Sequence, residues 1–145
     1  MIAVDTNVLV YAHKRDSPWF EQAYSIVSQL VQSPDRWAIA WPCVHEFLAV
    51  VTNPRIYRPA STVDEALRQV GYWIESPSLR LIGELEGHWA ELAGILKAAK
   101  VHGPAIHDAR IAAICIEHGV REFWTADRDF SRFPSLKTVN PLVRR

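Results

Sequence analysis

Five short apolar runs, set between longer stretches with helical spacing, constrain this chain more than any other feature. Ile2-Ala3-Val4 stops at Asp5, and Trp37-Ala38-Ile39-Ala40-Trp41 lies between Arg36 and Pro42. Leu79-Arg80-Leu81-Ile82, Glu122-Phe123-Trp124-Thr125 and Leu136-Lys137-Thr138-Val139 complete the set. Runs of this length suit strands, and near-continuous apolar strands suit a sheet buried on both faces. The stretches between them carry helix signals. Phe20, Ala23, Tyr24, Val27, Leu30 and Val31 share one helical face behind a start at Ser17-Pro18. Thr62-Val63-Asp64-Glu65 is a capping box ahead of the stripe Val63, Ala66, Leu67, Val70 and Ile74. Trp89, Leu92, Ala93 and Leu96 mark another helix, which His102-Gly103-Pro104 breaks, and Ile106 to His118 a further one closed by Gly119. Strands at about 2–5, 37–41, 79–82, 122–125 and 136–139 with helices between them predict an α/β fold. The expected form is a three-layer α/β/α sandwich around a central parallel sheet of four to five strands. At 145 residues, with no linker-like segment, one domain over 1–145 is expected.

Composition narrows the class. No apolar run approaches the roughly 18–20 residues that cross a bilayer, and no basic stretch leads into an apolar one at the start, so a cytoplasmic protein without a membrane partner is expected. Cys43 and Cys115 are the two cysteines, read as reduced and buried. The six tryptophans fall in or beside apolar runs and are expected to be mostly core. Sixteen Lys and Arg balance sixteen Asp and Glu, so no net charge draws a nucleic acid from a distance.

The informative polar residues sit where the strands end. In an open α/β sheet, ligands bind at the carboxyl ends of the strands. Asp5 ends the first strand, Glu46 lies one turn into the helix after the second, and Asp127 and Asp129 follow the fourth. Asp108 opens the helix before that fourth strand and reaches the same edge. Taken singly, each has an ordinary reading: a helix cap for Asp5, a solvated face for Glu46, a first-turn acid for Asp108, turn residues for Asp127 and Asp129. Together they place four or five carboxylates on one edge, where they repel unless a cation sits among them. Oxygen ligands point to Mg²⁺, with Mn²⁺ as the substitute, and to phosphodiester hydrolysis by metal-activated water. Zinc fits poorly, since there is no H-E-x-x-H and no Cys/His pairing; His13, His88 and His118 read as surface or satisfied residues. A P-loop, a Rossmann fingerprint, a G-x-S-x-G elbow and an Asp-x-Asp phosphatase motif are all absent from the sequence.

These residues carry a resemblance. Val4-Asp5-Thr6-Asn7-Val8-Leu9, then Glu46-Phe47-Leu48, His107-Asp108-Ala109-Arg110-Ile111-Ala112-Ala113, and Trp124-Thr125-Ala126-Asp127-Arg128-Asp129-Phe130 resemble, in order, the four motifs of PIN-domain nucleases. Within that family the chain looks most like the VapC toxins of type II toxin–antitoxin systems. Thr52-Asn53-Pro54-Arg55, Phe133-Pro134 and Asn140-Pro141-Leu142 fit one branch of those toxins. The resemblance implies a PIN-like fold and a Mg²⁺-dependent endoribonuclease that cuts structured RNA such as tRNA or rRNA. By position, Asp5, Glu46, Asp108 and Asp127 would be catalytic. Asp5, Asp108, Asp127 and Asp129 would be the metal ligands, with Thr6 and Thr125 orienting carboxylates. A VapB-like antitoxin and a homodimer are the implied protein partners. Two alternatives stay open: a PIN nuclease of RNA processing without an antitoxin, and an inactive binding module. Arg110 and Arg128 are weak RNA-binding candidates, and Arg55, Arg58 and Arg132 extend the basic rim.

Overall fold

The computed structural model describes residues 1–143. Five strands form one sheet: β1 (Ile2–Val4), β2 (Trp37–Ala40), β3 (Leu79–Ile82), β4 (Glu122–Trp124) and β5 (Thr138–Val139). Their order across the sheet is β3-β2-β1-β4-β5, and every pairing is parallel. Six helices connect them: α1 (Thr6–His13), α2 (Phe20–Gln32), α3 (Trp41–Val51), α4 (Val63–Ile74), α5 (His88–Ala99) and α6 (Ala105–Glu117). A 3-10 turn over Arg128–Arg132 links β4 to β5. Right-handed crossovers dictate the layers. The chain steps one way from β1 to β3, then returns past β1 to β4 and β5. α1 to α4 therefore pack together on one face, and α5 with α6 on the other. The α/β sandwich and its parallel sheet match the expectation from the apolar runs.

The core is continuous. Val4, Trp37, Ile39, Phe47, Ile111, Ile114, Phe123 and Phe130 are essentially inaccessible to solvent. At roughly 1.5–3 kcal/mol for each large apolar side chain, this burial is what holds helices of eight to thirteen residues that would not persist alone. The helix ends form as their sequences dictate. Thr62 and Glu65 exchange both capping-box hydrogen bonds. Gly119 has φ +67°, and the N–H groups of Gly119 and Val120 donate to the carbonyls of Ile116 and Cys115, the Schellman arrangement.

Several expectations are corrected. β2 stops at Ala40, and Trp41 opens α3 with Pro42 in its first turn, where a missing N–H costs nothing. α2 starts at Phe20; Ser17 instead accepts the Trp19 N–H in a preceding turn. β1 ends at Val4 because Asp5 turns out as the N-cap of α1. β5 is only Thr138–Val139, and Leu136 goes to the core. The tryptophans divide: Trp37 and Trp73 are buried and Trp124 half-buried. Trp19, Trp41 and Trp89, at the N-terminal ends of α2, α3 and α5, are 38%, 42% and 80% exposed. Among the described residues no helix is long and apolar enough to cross a membrane.

Candidate functional site

The strand order reverses between β1 and β4, and a crevice opens there at the carboxyl ends of the strands. It is a cavity of about 270 Å³ lined by Asp5, Thr6, Asn7, Val10, Tyr11, Glu46, Val50, Tyr57, Asp108, Asp127 and Phe130. Four elements deliver the four acids. Asp5 leaves β1, Glu46 projects from α3, Asp108 lies in the first turn of α6, and Asp127 caps the 3-10 turn after β4.

Asp5 is the fixed point. It is 4% exposed, and both carboxylate oxygens are engaged. Oδ1 accepts the Thr6 N–H at 2.8 Å and the Cys43 thiol at 3.7 Å. Oδ2 accepts the Thr125 hydroxyl at 2.6 Å and the Asn7 amide at 3.5 Å. Despite these donors, burial pushes its pKa up to about 6, with Glu46 and Asp108 adding to the rise. Asp108 is half-buried, and burial, then the Asp127 and Glu46 carboxylates, raise its pKa too. Glu46 is more exposed, and its Oε2 accepts the Thr6 hydroxyl at 3.2 Å. Burial of Cys43 beside Asp5 holds its thiol well above the usual range, which leaves it a packing residue and a weak donor.

Asn7 and Thr125 join the two strand ends. The Thr125 hydroxyl accepts the Asp127 N–H at 3.0 Å and the Asn7 amide at 3.3 Å, while Asn7 Oδ1 accepts the Ala126 N–H at 3.2 Å. Asn7 and Tyr11 were not singled out from sequence. The available signal was their spacing: they lie four apart on α1, whose Val8, Leu9, Val10 and Ala12 are buried. Tyr57, from the segment after α3, gave no periodic signal.

The remaining candidates fall outside the cavity. Asp129 is exposed; its backbone N–H donates to Asp127 Oδ1 at 2.9 Å, and its carboxylate pairs with Arg132 at 3.5 Å. Arg110 is engaged by Glu84, at 3.0 Å to Oε1 and 3.3 Å to Oε2. Arg128 is exposed and forms no ion pair among the described residues. Arg55 and Arg58, on either side of Tyr57 in the chain, are exposed. His13 bonds Gln69 and Ser61, His88 bonds Glu117, and His118 bonds the Gly83 carbonyl, so each is satisfied locally.

The donor set is chemically uniform. The cavity offers carboxylate and hydroxyl oxygens, and neither Lys nor Arg lines it. Among the described residues, no three His, Cys, Asp or Glu side chains close on one point as a ready-made cage. Such a set suits a hard divalent ion that keeps part of its water shell, and it does not suit zinc.

Comparison with known proteins agrees with this geometry. A family model described as the PIN domain matches residues 2–136. Ribonuclease VapC48 of Mycobacterium tuberculosis is 28% identical over 137 residues, covering 94% of each chain. In fold, the chain is similar to VapBC2 from Rickettsia felis bound to a DNA fragment from their promoter. The TM-score there is 0.70 at 17% identity, over 96% of this chain and 98% of that one. It is also similar to Mycobacterium tuberculosis VapC20, a sarcin-ricin loop cleaving toxin, with a TM-score of 0.66 at 16% identity over 90% and 93% of the two chains.

Proposed function

The chain belongs to the PIN domain family, and from that premise we propose that it is a Mg²⁺-dependent endoribonuclease, the VapC-like toxin of a type II toxin–antitoxin pair. One observation carries the reading: Asp5, Glu46, Asp108 and Asp127, from four separate elements, converge on one cavity at the strand-order reversal. Ribonuclease VapC48 and the loop-cleaving VapC20 support the choice of RNA as substrate. The substrate class we favour is a looped region of tRNA or rRNA.

Asp5, Asp108 and Asp127 are the residues that would hold Mg²⁺, and Asp129 would join only by releasing Arg132. Bound there, Mg²⁺ supplies positive charge against the scissile phosphate and makes water easier to deprotonate. The chain's own groups do the rest. Thr125, Asn7 and the Thr6 N–H fix Asp5 in one orientation. Glu46, held by the Thr6 hydroxyl at the open side, takes the proton of the attacking water. The water oxygen then bonds to phosphorus as the bridging ribose oxygen leaves.

The antitoxin would meet α2 and α4. Tyr24 and Tyr72 border one depression, and Tyr72 and Leu67 the next, so three exposed apolar side chains run continuously across these helices. VapBC2, a complex by name, supports a protein partner of this kind. Replacing Leu67 and Tyr72 with Glu is expected to abolish capture of a co-expressed antitoxin while RNA cleavage persists. Loss of both, or of neither, contradicts the assignment. A homodimer is also proposed, to be read from sedimentation of the purified chain.

Sequencing RNA ends after expression tests the main reading. A discrete set of new ends, absent with Asp5→Asn, is the expected result. The same ends in both samples overturn it.

A further inference from the structure

The cavity has an apolar and aromatic lining that phosphodiester hydrolysis leaves unused. Opposite chemistry shares the space: beside the acids, Val10, Tyr11, Val50, Tyr57 and Phe130 line the same cavity. We propose that Tyr57, held from behind by Lys14, is a stacking platform for the nucleobase that flanks the scissile phosphate. The proposal rests on the ribonuclease reading and assigns the aromatic half of the same site.

Lys14 is the observation that singles out Tyr57. The residue as a whole is 9% exposed, and among the described residues it makes no ion pair with a carboxylate. Its ammonium donates to the Pro59 carbonyl at 3.3 Å and to the Ser61 hydroxyl at 3.5 Å, and lies 4.6 Å from the centroid of the Tyr57 ring. Lys14 also borders an open depression shared with Asp16 and Glu65, so the ammonium is placed by several partners. The ring face is one of them, a cation–π pair at close range. That contact covers one side of the ring, and the ring also borders the acidic cavity.

The segment that carries Tyr57 is tied down as well. The Ile56 and Tyr57 N–H groups both donate to the Asn53 carbonyl at 3.0 Å, the Arg55 N–H donates to Asn53 Oδ1 at 2.9 Å, and the Ser61 N–H donates to the Val51 carbonyl at 2.8 Å. A phenol fixed by its backbone and by the Lys14 ammonium is pre-organised to stack, with little ordering left for binding. Cavity size selects the occupant. About 270 Å³ is just below the usual range of ligand pockets, a scale that suits one extruded nucleotide. Single-stranded and looped RNA is recognised by stacking splayed bases on aromatic rings.

The test uses a short RNA hairpin that contains the cut site mapped by end sequencing, with 2-aminopurine beside the scissile bond. In an Asp108→Asn background, binding is expected to quench 2-aminopurine fluorescence. Tyr57→Phe should keep the quenching, and Tyr57→Leu should abolish it. In the cleavage-competent chain, Tyr57→Leu should raise KM about 5- to 100-fold with a smaller change in kcat, since one stacked base accounts for an effect of that order. Tyr57→Phe should stay within about twofold of wild type on the same scale. An abasic nucleotide at the flanking position should cost the wild type the same factor and cost Tyr57→Leu nothing further. Lys14→Met should fall between, with Tyr57 less well held. Melting curves check that each variant folds. Metal-dependent cleavage with equal KM for wild type and Tyr57→Leu, on base and abasic substrates alike, overturns the platform alone. A wild-type chain that neither binds nor cuts RNA overturns the ribonuclease reading and the platform with it.

Discussion

The Thr125 hydroxyl has no freedom in its wiring. It accepts two N–H donors, from Asp127 and Asn7, so its own proton can go only to Asp5. It thereby fixes a carboxylate from β1 and the backbone after β4 with one atom. Thr125→Val keeps the shape and removes all three bonds. It is expected to weaken metal-dependent cleavage about 10- to 100-fold and to lower stability by about 1–3 kcal/mol, whereas Thr125→Ser should recover most of both. Steady-state rates and thermal melts of the two variants check this. Asp5 makes the second prediction. Its pKa is raised to about 6 in the folded chain, so the folded state holds that proton more tightly than the unfolded one. The resulting stabilisation is complete below the unfolded value near 4 and fades as pH rises through about 6. Metal-free protein should therefore lose stability between about pH 4 and pH 6 through this residue, on the order of 3 kcal/mol. Mg²⁺ competes with the proton, so its effect on Tm should be larger at pH 7.5 than at pH 5; equal shifts at both contradict the assignment. Of these residues, Asp5, Glu46, Asp108 and Asp127 were legible as acids at strand ends. Asn7 was not, because its only signal was a spacing of four from Tyr11 on α1, and Tyr57 was not, because a ring on an irregular segment leaves no periodic trace.

Elements form where local and tertiary preferences agree, and two of the misplaced boundaries show what happens when they compete. Trp41 reads as the end of an apolar strand, yet Pro42 can enter a helix only in its first turn, which draws Trp41 into α3 and leaves it half exposed. Ser17-Pro18 has the composition of a helix start, but Ser17 spends its oxygen on Trp19 and the helix opens three residues later. Where no competitor exists, the reading holds: the Thr62–Glu65 box and the Gly119 terminus form as their residues specify. The parallel α/β architecture was legible for the same reason, since five buried strands and the helices between them leave few alternatives. Exposure was not, because Trp19, Trp41 and Trp89 lie in or beside apolar runs in sequence yet stand exposed at helix N-termini. α4 supplies none of the cavity's lining residues. Thr62→Ala should therefore cost about 1 kcal/mol, a fall of about 2–4 °C in Tm for a chain of this size, with RNA cleavage unchanged. A matching loss of cleavage would mean that α4 holds the site.

Across the whole molecule, the zero net charge conceals a segregated surface. Setting aside the cavity acids Asp5, Glu46, Asp108 and Asp127 leaves 16 basic residues against 12 of the 16 acidic ones, a balance of +4. Arg110 and Arg132 are each committed to a carboxylate, while Arg55, Arg58 and Arg128 are exposed and free of such pairs among the described residues. With three phosphate contacts, the logarithm of RNA affinity should fall with the logarithm of salt at a slope near −2. A flat dependence would place the RNA elsewhere. The acidic pit within that basic surface is the centre of the account, and Asp108 tests it more cleanly than Asp5. Asp5 has four donors to lose, whereas no hydrogen bond to the Asp108 carboxylate occurs among the described residues, so Asp108→Asn should fold as wild type. The decisive measurement is the rate at which purified wild type and Asp108→Asn cut the mapped RNA as Mg²⁺ is titrated. Cleavage that rises and saturates with Mg²⁺ in the wild type, stops with EDTA and is lost by at least about 100-fold in Asp108→Asn is the predicted result. Equal cleavage by both proteins, or cleavage by wild type indifferent to Mg²⁺, contradicts the account.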